Sequence, residues 1–175
     1  MPKETGIQVA FERSAAIFMA FVCAISLLAG AGWLFNQPIL ASLRPEYIPM
    51  PPATALLFLG LCGVWLIQRY FSARRGMRIL VQAALLGMLI IVIMLALRYF
   101  TGLGPDLEKL LYPVPAFFGQ FTSARMSPLS ALGFFLAIPA FLLMTGSKPG
   151  PRAKSVSAGL SQALFILSGI IILGY

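Results

Sequence analysis

The sequence predicts an all-α integral membrane protein, a bundle of five transmembrane helices built from an internal helix–loop–helix repeat of period 76 whose third copy is incomplete. Hydrophobic residues make up 59% and charged residues 10% of the chain, and the mean hydropathy is +0.91. A soluble domain has about 25% charged residues. Five apolar runs are long enough to cross a bilayer, which takes about 20 residues. One nine-residue pattern also occurs twice, and internal repeats of this kind determine architecture.

The predicted elements begin with an amphiphilic cytoplasmic leader at 1–13, followed by a transmembrane domain at 14–175. The predicted spans are 14–35, 52–69, 79–97, 127–146 and 155–175. They form two complete repeats and half of a third, at 14–69, 79–146 and 155–175. An odd number of spans leaves the two termini on opposite sides, and the third repeat then lacks its loop, motif and return helix. We therefore expect a longer protein of which this chain is the front part, with a natural five-span protein as the alternative.

Each element has a local justification. The first span has small residues at i, i+4 spacing, which allow close helix contact in lipid: Ala16, Ala20 and Ala24. The loop at 36–51 is rich in proline, and the next span is predicted to begin at Pro52. The second outer loop, near 98–126, is longer, and a short helix is predicted within it, ending at Tyr112. The basic, helix-breaking segment SKPGPRAK precedes the last span.

The charge distribution predicts orientation. The formal net charge is +8, but the basic residues are concentrated in the segments that lie inside if the N-terminus is cytoplasmic. Nine basic residues lie in those segments: Lys3, Arg13, Arg69, Arg74, Arg75, Arg78, Lys148, Arg152 and Lys154. Four lie in the outer loops: Arg44, Arg98, Lys109 and Arg125. This bias follows the positive-inside rule and argues against nucleic-acid binding.

The repeated pattern is Met-x-Pro-x-Thr/Ser-Ala-Leu-x-Phe, at 50–58 (copy one) and 126–134 (copy two). One interpretation is structural: Pro52 and Pro128 suit the first helical position, and Ser127 suits the N-cap. The other interpretation is a ligand site, in which both helix starts face one crevice that takes a quinone or a lipid headgroup. Its candidate residues are Met50, Pro52, Thr54, Phe58, Met126, Pro128, Ser130 and Phe134.

Several residue types are missing from the spans. The chain contains no histidine, and no charged residue lies deep inside a predicted span. His-based metal sites and general bases are therefore excluded, and a proton or ion pathway is disfavoured because it needs ionisable groups. Cys23 and Cys62 are interpreted as small apolar core residues. No catalytic or metal-ligating residue is predicted, so we do not expect an enzyme.

The motif resembles the N-terminal repeated membrane region of bacterial signalling proteins, which bears sequences such as MxPNTALCFLLxG. The counterparts are Met50–Gly60 and Met126–Phe134, and residues 97–112 are similar to that family's LEYLFGxDLGIDQLLF segment. Gly174-Tyr175 looks like the start of its third repeat. The asparagine that usually precedes the threonine is replaced in both copies, by Ala53 and Leu129.

The resemblance implies a membrane-embedded sensory domain in the bacterial inner membrane. Such regions precede histidine kinase, diguanylate cyclase or related output domains, which usually work in pairs, so a homodimer is implied. No output domain lies in these 175 residues. The alternative is a small structural subunit that packs against a larger membrane complex.

Overall fold

Every regular secondary-structure element that the computed structural model describes is an α-helix. The described residues are 6–42, 49–71, 75–102, 125–146 and 150–174, together with Pro105 and Leu107. The helices are α1 Gly6–Leu34, α2 Pro38–Ser42, α3 Pro52–Phe71, α4 Arg75–Thr101, α5 Pro128–Met144 and α6 Pro151–Gly174. Across these ranges no strand occurs, which confirms the predicted all-α class for the described part of the chain.

Three helical segments are long and apolar enough to cross a membrane: Glu12–Leu34, Pro52–Phe71 and Arg75–Thr101. They correspond to the first three predicted spans. The fourth predicted span matches α5, an apolar helix of 17 residues, or about 26 Å at the standard rise. The fifth matches α6, which has 24 residues and begins four residues before the predicted 155.

Several elements differ from the sequence prediction. Helix α4 extends four residues beyond the predicted span 79–97 at each end. The first helix begins at Gly6, so residues 6–13 of the predicted leader are helical. No proline interrupts this stretch, and Glu12 forms a salt bridge with Arg69 of α3 at 3.2 Å. The proline-rich loop contains the short helix α2, which starts at Pro38 and was not predicted. Apart from Pro105 and Leu107, the short helix predicted in the second loop lies outside the described residues.

Two pairs of helix starts keep the 76-residue register of the sequence, whereas α1 begins 69 residues before α4. Pro52 begins α3 and Pro128 begins α5, while Arg75 begins α4 and Pro151 begins α6. Packing follows the same order, because α1 contacts α3 as α4 contacts α5, and α3 contacts α4 as α5 contacts α6. Helices that follow one another in sequence therefore pack together, and α3 also contacts α5 through the rings of Phe58 and Phe134.

The bundle has two chemically different ends. We call the end where α3 and α5 begin the motif end, and the opposite end the basic end. Among described residues the basic end carries six basic side chains, Arg13, Arg69, Arg75, Arg78, Arg152 and Lys154. The motif end carries two, Arg98 and Arg125. The charge asymmetry predicted along the sequence is thus a spatial asymmetry of the described helices.

The core lies among α3, α4 and α5. Leu85 of α4 and Ile138 of α5 are fully buried in it. Gly60 of α3 allows close packing, because a Cβ there would collide with the terminal methyl of Met88 in α4. The outer helices bury less of their surface, since Phe18 of α1 is 69% exposed and Phe165 of α6 is 81% exposed.

Candidate functional site

The two motif copies begin the two central helices, α3 and α5. Each helix has the motif proline as its first residue, where the missing N–H has no intrahelical partner to lose. The predicted helix starts are therefore confirmed. The equivalent phenylalanines of the two copies are in contact, because the ring centroids of Phe58 and Phe134 are 4.7 Å apart at an interplanar angle of 56°. The fold thus joins the two copies through one pair of repeat-equivalent residues.

Copy one is enclosed by its neighbours. The indole Nε1 of Trp33 in α1 donates a hydrogen bond of 2.7 Å to the backbone oxygen of Met50. The backbone N–H of Met50 donates to the oxygen of Ala41 in α2 at 2.9 Å. Trp33 is 2% exposed and Pro52 is buried. Copy one therefore forms a buried junction of α1, α2 and α3.

The hydroxyl of Thr54 is the unsatisfied group in this junction. Thr54 is 4% exposed, and its Oγ1 has no hydrogen-bond partner among the described residues. A threonine in a helix often donates to the carbonyl four residues earlier. For Thr54 that carbonyl belongs to Met50, which already accepts from Trp33. A buried hydroxyl without a partner costs free energy, so Thr54 is buried in this junction at an energetic cost.

Copy two has a capped helix start and more exposed residues at that start than copy one. Ser127 has extended backbone angles (φ −70°, ψ 149°), and its Oγ accepts from the backbone N–H of Ser130 at 3.1 Å. This confirms Ser127 as the predicted N-cap. The two hydroxyl oxygens lie 2.9 Å apart. Leu129 is 48% exposed, whereas its repeat equivalent Ala53 is 2% exposed.

An open cavity of about 460 Å³ lies between α3, α5 and α6, and we call it the motif crevice. Its walls include Phe58 and Leu61 of α3, Ser130 and Phe134 of α5, and Leu164 and Ser168 of α6. Three of the eight predicted site residues, Phe58, Ser130 and Phe134, therefore line one cavity. Met50, Pro52 and Thr54 are not among the lining residues.

The remaining two candidates lie on another face of α5. Met126 and Pro128 line a small cavity of about 30 Å³ between α4 and α5, together with Arg98 and Arg125. Met126 is 5% exposed. The eight predicted residues are therefore distributed over three environments: the α1–α3 junction, the motif crevice and the α4–α5 surface.

The contribution of α6 to the crevice was missed by the sequence prediction. Leu164 and Ser168 lie on its wall, and the Ser168 hydroxyl donates to the Leu164 oxygen at 2.9 Å. A signal for α6 existed in the 76-residue register, which predicts that α6 packs on α5 as α4 packs on α3. The register does not indicate which face of α6 turns towards α3, and that face decides which residues line the cavity.

The chemistry of the crevice suits a neutral amphiphile. Its wall is formed by aromatic and aliphatic side chains, with the hydroxyls of Ser127, Ser130 and Ser168 as polar groups. No charged side chain is among its lining residues. The start of α5 adds the partial positive charge of a helix N-terminus. Among the described residues no group of three His, Cys, Asp or Glu side chains is positioned to hold a metal.

Comparisons of the chain with protein-family models, with curated proteins and with solved structures found no significant match.

Proposed function

We propose that this chain is the membrane-embedded sensory domain of a bacterial signalling protein. It would lie in the inner membrane with its N-terminus in the cytoplasm, detect a lipophilic or envelope signal, and relay it by helix movement to an output domain beyond these residues. Three helices of membrane-spanning length and apolarity support the placement. The excess of basic residues at one end of the bundle supports the orientation.

The observation that carries the proposal is the motif crevice. It combines the paired rings of Phe58 and Phe134 with the Ser130 hydroxyl at the start of α5. A quinone or a lipid has an apolar body and a polar head, and ligand sites of this kind are mostly apolar with a few placed polar groups. A ligand seated between α3, α5 and α6 would change the spacing of these helices, which is how it would produce a signal.

Filling the crevice tests whether it binds a ligand. A Cβ added to Gly133, which lines the cavity, would lie 3.8 Å from Leu164 Cδ1, so Gly133→Leu would extend into the cavity. The control is Gly87→Leu, because a Cβ there has no atom within 4 Å. We expect Gly133→Leu to lower the quinone or lipid that co-purifies with the detergent-extracted protein at least fivefold, with Gly87→Leu unchanged. Equal retention by both variants would exclude the crevice as the site.

The mass of the polypeptide isolated from its native membrane tests the signalling role. A mass well above 18.9 kDa is expected, because a sensory domain must continue into an output domain. A mass near 18.9 kDa would favour the structural-subunit alternative. That alternative is supported by the exposed face of α6, where Phe165 is 81% exposed and would be available to a partner helix. A larger complex that co-purifies with the chain would then be expected.

A homodimer is part of the proposal, because cytoplasmic kinase and cyclase domains usually act in pairs. Cross-linking of the protein in native membranes tests it. A dimer band whose yield does not change when the protein is diluted into excess lipid is expected. A monomer under all conditions would contradict this part of the proposal without affecting the crevice.

A further inference from the structure

We propose that Cys23 of α1 and Cys62 of α3 are a redox-active pair, which a quinone dissolved in the bilayer oxidises to a disulfide. This site is separate from the motif crevice, because neither cysteine is among the residues that line the crevice. The inference rests on the membrane placement proposed above, but not on the sensory role or on a ligand in the crevice.

Helices α1 and α3 pack antiparallel, with a polar contact near each end. At the basic end the Glu12 carboxylate and the Arg69 guanidinium are 3.2 Å apart. At the motif end the Trp33 Nε1 donates to the backbone oxygen of Met50 at 2.7 Å. These contacts fix which residues of the two helices lie at the same level. Both cysteines of the chain lie about halfway between the two contacts.

The two thiols meet at that level. The Cys62 Sγ donates to the backbone oxygen of Met19 at 3.7 Å, and the α-helical pattern pairs the same oxygen with the backbone N–H of Cys23. The side chains of Cys23 and Cys62 also share a hydrogen bond, and neither is in a disulfide. The fold therefore brings the two cysteines of the sequence into contact across a helix interface.

Disulfide formation is the chemistry that fits this pair. A disulfide bond is about 2.05 Å long, and sulfurs in hydrogen-bond contact reach that length by small movements of the side chains and helices. A metal site of the zinc type needs further ligands, and the described residues hold no group of three His, Cys, Asp or Glu that could supply them. Cys62 is 3% exposed and Cys23 is partly exposed, so Cys23 is the thiol that an oxidant can reach.

The depth of the pair in the membrane favours a quinone as the oxidant. Cys62 lies near the middle of α3, and α3 is long and apolar enough to cross a bilayer. The thiols are therefore close to the midplane of the hydrocarbon, where charged and strongly polar oxidants are excluded by the cost of desolvation. A quinone is an apolar two-electron acceptor that dissolves in this layer.

The reaction balances with the two thiols and one quinone. Both S–H bonds break and one S–S bond forms, so the cysteine pair loses two electrons and two protons. The quinone accepts them, with one proton on each oxygen, and becomes a quinol. All reactants and products are neutral, so no net charge is created in the hydrocarbon, where an ion is costly. The bond then fixes the middle of α1 to the middle of α3.

Anaerobic titration of the unmodified chain in lipid nanodiscs with a short-chain ubiquinone tests the proposal. We expect the thiols that react with maleimide after denaturation to fall from two per chain to nearly none. About one quinol should appear per chain, because a disulfide is a two-electron couple. Cleavage at methionine places the cysteines on separate fragments, 20–50 and 51–77. These fragments should stay joined until a reductant is added.

The matched control is the double variant Cys23→Ser/Ala16→Cys. It keeps two thiols per chain but moves the one in α1 by two turns along the same face, about 10 Å away from Cys62. Ala16 is partly exposed, as Cys23 is, so a quinone can reach either position. We expect this variant to produce no more quinol than Cys62→Ser, which retains a single thiol.

Four results would overturn the proposal. Retention of both thiols by the unmodified chain in the presence of quinone would do so, and needs no variant to fold. Joined fragments that form only after oxygen is admitted would show that oxygen is the oxidant. Disulfides found only between chains, or an equal quinol yield from the control variant, would contradict the pairing across α1 and α3. A failure of the membrane placement is distinguishable, because the chain would then be extracted into buffer without detergent.

Discussion

The two copies of the motif share a sequence pattern but differ in their surroundings. Copy one is enclosed by α1 and α2, and Trp33 and Ala41 bind its backbone. Copy two has no counterpart of Trp33 or Ala41 bound to its backbone among the described residues. Instead, the Ser127 hydroxyl caps the start of α5 by accepting from the Ser130 N–H. As a result Thr54 is buried without a hydrogen-bond partner among the residues that the structure describes, whereas Ser130 pairs with Ser127 and faces an open crevice. A shared motif therefore specifies how the helix begins, while its neighbours decide which of its residues are buried.

The largest expected effect comes from removing the tryptophan that encloses copy one. Trp33→Ala should lower the free energy of unfolding by about 3–5 kcal/mol, because the side chain is 2% exposed and its loss leaves a cavity. Trp33→Phe should lower the free energy of unfolding by less, because an aromatic ring still fills most of the space. Its remaining cost includes the lost hydrogen bond to Met50. Unfolding in detergent with increasing denaturant measures both.

The control for Trp33 is Trp65→Ala. Trp65 is half-buried, and the guanidinium carbon of Arg69 lies 5.5 Å from the centroid of the Trp65 ring. Trp65→Ala should therefore lower the free energy of unfolding clearly less than Trp33→Ala. Equal costs for the two tryptophans would contradict the conclusion that copy one depends on its enclosure.

The turn between α1 and α2 is expected to show the second-largest effect. A Cβ on Gly32 would lie 2.8 Å from the backbone nitrogen of Ala41 and 3.0 Å from the oxygen of Gln37. Gly32→Ala must therefore move backbone atoms, and we expect a loss of roughly 1–3 kcal/mol. At Gly30 a Cβ has no atom within 4 Å, so Gly30→Ala should be neutral or slightly stabilising. Equal melting temperatures for the two variants would contradict the close packing of Gly32 in α1 against Ala41 in α2.

The N-cap of copy two is expected to show a smaller effect. Ser127→Ala should cost about 1 kcal/mol, because the backbone N–H of Ser130 loses its acceptor. The equivalent position in copy one is Pro51, whose backbone oxygen accepts from Ala55 and whose side chain caps nothing. Pro51→Ala should therefore leave stability nearly unchanged. A larger loss at Pro51 than at Ser127 in equilibrium unfolding would reverse the assignment of the capped copy.

The smallest effect is expected at the unpaired hydroxyl. Thr54→Val keeps the side-chain shape and removes a buried oxygen that has no partner in the described structure, so it should be neutral or stabilising by up to about 1 kcal/mol. Ser130→Ala breaks a hydroxyl contact and should be slightly destabilising. A loss above about 1 kcal/mol for Thr54→Val would mean that a bound ligand or another group pairs with this hydroxyl. The two variants are compared by unfolding in the same detergent.

Local sequence features were sufficient for the starts of α3 and α5, whereas α1, α4 and α6 begin earlier than predicted. Pro52, Pro128 and Ser127 occupy the predicted positions, because the fixed φ of proline and the hydroxyl of serine act on the nearest turn alone. The apolar runs likewise predicted the long helices, since hydropathy reports on the surroundings of a whole segment. The short helix α2 was missed, because a five-residue helix has too few residues for a periodic signal.

The grouping of the candidate residues was decided by the tertiary structure. The motif predicted that four pairs of equivalent residues surround one crevice, but the bundle places Thr54 in a buried junction and Met126 between α4 and α5. The physical reason is that copy one lies beside α1 and α2, whereas the helix of copy two packs against α4 and α6. Each motif copy therefore meets different neighbours, although both copies start a helix in the same way. The sequence by itself determined where the central helices begin and how apolar they are. Which helix faces which, and therefore which motif residues share a cavity, depends on packing between residues far apart in the chain.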